Sequence, residues 1–177
     1  TRIEAGERRA QLAALAALLP LDGYDNDPLV DRAMILAPEG LGGDVPMPVY
    51  RVRNAGRPVA AVLGVTTADG YSGAIDLLLG VDTAGRVIGV RITRHHETPG
   101  LGDGIEADKS DWIGRFAGRS LVDPPSERWA VRRDGGEFDQ FAGATVTPRA
   151  VVGAVRRALQ WFAASQQRVF DAPAATD

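Results

Sequence analysis

The spacing of hydrophobic and polar residues changes several times along the chain, and each change marks an element. Residues 3–19 are rich in Ala and Leu, and Ile3, Leu12, Leu15 and Leu19 form an imperfect helical stripe that Pro20 stops. Residues 24–48 are irregular and rich in Asp, Gly and Pro, with a short strand at 33–36. Segments 49–54 and 59–66 flank Ala55-Gly56-Arg57-Pro58 in a hairpin pattern. A turn cluster at 69–73 leads to two further strands, 74–81 and 87–93, joined by the loop Asp82-Thr83-Ala84-Gly85. A glycine-rich loop covers 97–104. Residues 109–118 read as a short helix carrying Trp112, Ile113 and Phe116, and 129–132 as a strand before the Asp134-Gly135-Gly136 turn.

The last helix is the clearest element. Thr147 is placed to cap it and Pro148 suits its first position, with Val151, Val155, Leu159 and Phe162 on one face. This order predicts an α+β domain, an antiparallel sheet with flanking helices. Residues 1–20 are expected to form an N-terminal helix, 21–165 the globular domain, and 166–177, with Pro173, a flexible tail. Trp112, Trp129 and Trp161 sit in apolar patterns and are expected in the core.

Composition narrows the chemistry. The 177 residues are 45% hydrophobic and 24% charged, with a formal net charge of −3. That balance fits one globular domain and argues against a nucleic-acid partner, which needs a basic face. There is no cysteine, so thiolate metal sites, iron–sulfur clusters and disulfides are excluded. Redox work would need an organic cofactor or a metal held by His and carboxylates. No stretch approaches the roughly 20 apolar residues of a membrane span.

Three segments could carry chemistry. In Gly143-Ala144-Thr145-Val146-Thr147-Pro148, small residues open a helix whose free N–H groups and dipole favour an anion, and Thr145 offers a hydroxyl beside it. The plainer reading is a capped helix with two solvent-facing threonines. A hydrolase using Thr145 as nucleophile lacks a neighbouring base, Asp139 being the nearest upstream carboxylate.

In His95-His96-Glu97-Thr98-Pro99-Gly100-Leu101-Gly102-Asp103-Gly104, Thr98 and the loop amides could bond the edge of a flat heterocycle, with Leu101 on its face. The alternatives are a plain surface loop or a metal site. The metal is disfavoured because adjacent residues of a strand point to opposite faces, parting His95 from His96. Asp69-Gly70-Tyr71-Ser72-Gly73 offers an aromatic face, or simply a tyrosine at a strand edge. Neither a dinucleotide fingerprint nor a phosphate-binding lysine loop is present.

The three segments together resemble the G-subunit family of Rnf ion-translocating electron-transport complexes, called RsxG in the reducing-system form. The C subunit of the sodium-pumping NADH:quinone reductase is a weaker match. The resemblance runs from about Leu18 to Phe162. It is carried by DGYSGAI (69–75), RITRHHETPGLGDGIE (91–106), DWI and FAG within 111–118, and DGGEFDQFAGATVTPRAVV (134–152).

The resemblance implies an FMN-binding domain with FMN joined through its phosphate to the threonine ending a D-x-x-[ST]-G-A-T motif. Here that motif spans Asp139 to Thr145, with Ala142 where Ser or Thr is usual, so Thr145 matches the acceptor. It further implies attachment by a flavin transferase, with FAD as donor and AMP released. Thr98, Pro99, Gly100, Leu101 and Gly102 would line the ring with Tyr71 in the stacking position, and Ser72, Glu97, Gly143, Ala144 and Thr147 would complete the cofactor-binding residues.

No catalytic acid or base and no metal are implied. The domain would lie on the periplasmic side of the inner membrane behind a single-pass anchor. It would pass electrons among the other Rnf subunits in a complex linking NADH and ferredoxin to ion movement. A non-redox flavin-binding sensor or assembly module is the alternative.

Overall fold

The structure is a computed structural model and describes residues 2–176, without the side chains of residues 2, 3, 4 and 7. Ile3, part of the expected stripe, therefore lies outside the described side chains. Helix α1 spans Arg2–Ala17. Five strands follow: β1 (Arg32–Ile35), β2 (Met47–Asn54), β3 (Arg57–Gly70), β4 (Gly73–Asp82) and β5 (Val87–Arg94). They pair antiparallel in chain order as one meander. Helix α2, Val146–Asp171, closes the chain. The fold is α+β, as the pattern predicts, and the α2 side of the sheet holds the main core.

Strand β3 is buried continuously from Ala60 to Val65, which reflects its central place in the sheet, covered on both faces. One face packs against Val151, Val155, Ala158, Leu159 and Phe162 of α2, all buried. The other face is covered by the end of α1. There Leu15 and Leu18 pack with Val62 and Leu78. Gly80 and Gly89 are paired across β4 and β5 and make the trough for Leu18. A Cβ on Gly80 would sit 2.6 Å from the Leu18 carbonyl oxygen, and one on Gly89 2.9 Å from its Cδ2.

The region between β5 and α2 departs from its pattern. The expected helix over 109–118 is a single 3-10 turn, Trp112–Phe116, which turns Trp112, Ile113 and Phe116 into the core. Gly118, at φ 83°, lies just beyond it. Among the described residues, the expected strand over 129–132 forms one isolated bridge, Val131 to Phe138, and joins no named strand of the sheet. Its residues join an aromatic cluster instead. Phe116 stacks on Phe138 at 4.8 Å, and Trp129 lies 5.0 Å from Phe138. Trp112, Trp129 and Trp161 are all buried.

Helix α2 also runs beyond residue 165 to Asp171, where Val169 and Phe170 are buried. Its end is captured by β2. Arg51 donates to the carbonyls of Val169 (3.2 Å) and Ala172, and Arg53 to that of Phe170 (2.8 Å). Both arginines pair with Asp31, at 2.8 and 2.7 Å. Cations at a helix C-terminus satisfy its last carbonyls and its dipole. Beyond the helix, the Ala175 amide donates to Arg32 O at 2.7 Å.

Candidate functional site

The β3–β4 hairpin, the loop after β5 and the start of α2 meet at one end of the sheet. They enclose a cavity of about 240 Å³ lined by Tyr71, Thr98, Leu101, Gly102, Gly143, Ala144, Thr145, Val146 and Thr147. Eight of the twelve site residues expected from the sequence line it, and Val146 is added to them. Nothing in its side chain marks Val146 as a ligand contact, and it reaches the cavity through its place at the start of α2. Ser72, Glu97, Pro99 and Gly100 do not line this cavity. Each acts behind or beside it.

Thr98, Pro99, Gly100 and Leu101 form a tight turn. The Leu101 amide donates to Thr98 O at 3.1 Å, and Gly100 has φ 80°. Proline followed by a left-handed glycine is the sequence that a type II turn requires. Asp103 Oδ1 accepts the Gly100 amide at 3.0 Å and secures the turn. Pro99 and Gly100 thus shape the loop and face a neighbouring groove with Lys109 and Phe141. Leu101 and Gly102 are left turned to the cavity.

Phe141 to Ala144 form a second turn. The Ala144 amide donates to Phe141 O at 3.1 Å, and Gly143 has φ 76°, a conformation that favours glycine. The turn is braced from the core. Trp112 Nε1 donates to Asp139 O at 2.8 Å, and its ring meets Phe141 edge-on at 5.4 Å. The Asp139 carboxylate is held by Arg132 at 2.6 Å and Arg115 at 3.0 Å.

The start of α2 differs from expectation. The helix begins at Val146, so Thr145 occupies the cap position, with φ −77° and ψ −32°, and its side chain makes no capping bond. Thr147, expected as the cap, is buried inside the first turn. Its hydroxyl donates to Glu97 Oε1 at 2.5 Å. The tertiary contact takes the hydroxyl that local chemistry assigned to the helix, and the half-buried Thr145 is left at the cavity wall.

Glu97 is 5% exposed. It accepts the Tyr71 amide at 2.9 Å and the Ser72 amide at 2.8 Å, besides the Thr147 hydroxyl. Burial pushes its pKa up, but the bonds from Thr147, Ser72 and Tyr71 outweigh this and hold it below the usual value. The two histidines diverge. His95 Nδ1 accepts the Glu97 amide at 3.0 Å and its Nε2 lies 3.3 Å from Glu106 Oε2, whereas His96 is exposed.

The cavity is lined by Val146 and Thr147, whose amides lead a 26-residue helix, by the small residues Gly143 and Ala144 that allow close approach, and by Tyr71 and Leu101. Amides at a helix start suit a phosphate, and the apolar faces suit a flat ring. Tyr71 is 74% exposed and Leu101 47%, so a bound ring would be held and still be reachable from outside.

The model of the FMN-binding domain family matches residues 70–160, so the chain holds a flavin-nucleotide-binding domain. The G subunit of the ion-translocating oxidoreductase complex of Pseudomonas aeruginosa (strain UCBPP-PA14) is 53% identical over 168 residues, covering 95% of this chain and 78% of that protein. Its Escherichia coli (strain K12) counterpart is 51% identical over 148 residues, covering 84% and 71%. The chain belongs to this family, the G subunits of ion-translocating oxidoreductase complexes (RnfG). The crystal structure of Shewanella oneidensis NqrC shares the fold, with a TM-score of 0.52 at 22% identity over 89% of this chain and 71% of that one. Among the described residues, no helix is long and apolar enough to cross a membrane.

Proposed function

We propose that this RnfG chain carries FMN covalently, as a phosphoester on Thr145, and relays electrons within its complex. The observation that carries the reading is the Thr145 side chain. It lines the cavity at the cap position of α2, and its hydroxyl caps no helix amide. The leading amides of α2 would receive the phosphate charge. Tyr71 and Leu101 would hold the ring, with Thr98 at its polar edge.

Bound FMN would supply one- and two-electron transfer. The residues of the chain would orient the ring, tune its surroundings and keep it from diffusing away. Attachment by a flavin transferase, with FAD as donor, would join Thr145 Oγ1 to the FMN phosphorus. The bond from that phosphorus to the AMP phosphate would break, AMP would leave and the hydroxyl proton would pass to solvent. Ala142 sits in the turn ahead of the acceptor and contributes no hydroxyl to the phosphate.

In this reading the domain lies on the periplasmic side of the inner membrane, behind an N-terminal anchor. It exchanges electrons with the other Rnf subunits in a complex that couples NADH and ferredoxin to ion movement. Intact-mass measurement after co-expression with a flavin transferase tests the attachment. The wild-type chain should gain one FMN phosphoester and Thr145→Ala none. Flavin that survives denaturation on Thr145→Ala would overturn the assignment.

A further inference from the structure

We infer that Glu97 is a positioning residue, whose carboxylate sets the gap between the two walls of the cavity. The inference rests on the FMN reading for its purpose, but its geometry stands without it. One wall is the tip of the β3–β4 hairpin, where Tyr71 and Ser72 form the turn between the paired Gly70 and Gly73. The other wall is the first turn of α2. Among the described residues, no backbone hydrogen bond between turns and loops joins these two walls. Both end on the same carboxylate. Oε1 receives the Tyr71 amide and the Thr147 hydroxyl, and Oε2 receives the Ser72 amide.

The side chain suits this task in a way few others would. An ionised carboxylate accepts at both oxygens and offers no donor. Two consecutive amides and a hydroxyl can therefore converge on it without a mismatch. Glutamine has one acceptor oxygen and an NH₂ group that would face another donor. Aspartate is one methylene short.

Glu97 is itself held from behind and has little freedom to follow a displaced wall. Its amide is bound to His95 Nδ1, and His95 is braced by Glu106. Beside it, Gly102 packs so closely that an added Cβ would lie 2.9 Å from Glu97 Cβ and 2.7 Å from Thr147 Oγ1. A displaced carboxylate would let the exposed Tyr71 ring, carried by the hairpin tip, move away from Thr145.

Residue-resolved amide hydrogen exchange tests the inference on the full chain without flavin, for Glu97→Gln, Thr147→Val and Thr147→Ser. A tenfold change corresponds to about 1.4 kcal/mol, the scale of one net hydrogen bond. Glu97→Gln and Thr147→Val should thus speed exchange at Tyr71 and Ser72 by roughly tenfold, with β3 amides such as Leu63 unchanged. Thr147→Ser keeps the hydroxyl and should restore protection.

The same variants loaded with FMN supply a spectroscopic signature. Tyr71 stacking should quench flavin emission, so Glu97→Gln should brighten it toward the level of Tyr71→Leu. Unchanged exchange at Tyr71 and Ser72 overturns the inference. So does a uniform acceleration across the sheet, which would mark a merely structural residue, and so does failure of Thr147→Ser to rescue. Should the wild-type chain take up no flavin, the function proposed above fails, while the exchange measurements still decide whether Glu97 joins the two walls.

Discussion

Replacing Gly102 with alanine inserts a methyl group between the loop after β5 and the first turn of α2. The added Cβ would lie 2.7 Å from Thr147 Oγ1 and 2.9 Å from Glu97 Cβ, both inside the 3.4 Å at which ordinary contact begins. Neither neighbour yields easily, since Thr147 is buried in α2 and hydrogen-bonded to Glu97. Overpacking of this kind costs about 1–3 kcal/mol. For a chain of this size that is a loss of roughly 2–4 °C in Tm for each kcal/mol.

Gly100→Ala is the control. Gly100 has φ 80° with nothing within 4 Å of its added Cβ, so its cost of about 1–2 kcal/mol comes from backbone strain alone. Urea unfolding of the flavin-free variants, each alone and combined with Thr147→Ala, separates the two causes. Removing Oγ1 should relieve Gly102→Ala with a coupling of at least ~0.5 kcal/mol and leave Gly100→Ala additive. If Gly102→Ala unfolds at the wild-type midpoint, or combines additively with Thr147→Ala, the loop is not seated on α2 as described.

Two further outcomes are expected. Arg51→Met removes the donor to the carbonyls of Val169 and Ala172 but leaves Asp31 paired with Arg53. Its cost should therefore be about 1–3 kcal/mol in urea unfolding, below that of stripping the last partner from a buried charge, and the last turn of α2 should lose exchange protection first. Glu97 has its pKa lowered by folding, so its contribution is present above the unfolded-state value of about 4.3 and is lost as pH falls through the lower folded value. The gap in unfolding midpoint between wild type and Glu97→Gln should narrow as pH drops below about 4, and a gap that stays constant with pH would contradict that sign.

Local chemistry was readable from the sequence wherever the cause lies within a few residues. The alternation in 49–54 and 59–66, and the loop Asp82-Thr83-Ala84-Gly85, marked strands and turns found in β2, β3 and β4–β5. The apolar face of Val151, Val155, Leu159 and Phe162 marked α2. The small residues ahead of that helix marked what is one wall of the cavity, and the Pro99-Gly100 pair a turn.

What local chemistry could not supply was the destination of each polar group. Thr147 has the sequence neighbourhood of a cap, yet Glu97, 50 residues earlier in the chain, takes its hydroxyl and Thr145 stands in the cap position. The last turns of α2 lacked a strong apolar signal, and arginines 117 and 118 residues earlier hold them in place. Strand signal at 129–132 came to nothing without a partner strand. A side chain's alternation, turn or capping preference is set by its neighbours in sequence. Which donor meets which acceptor across the fold depends on packing that brings distant segments together, and for Glu97 that packing decides whether one loop carboxylate is a solvated charge or the tie between two walls of a site.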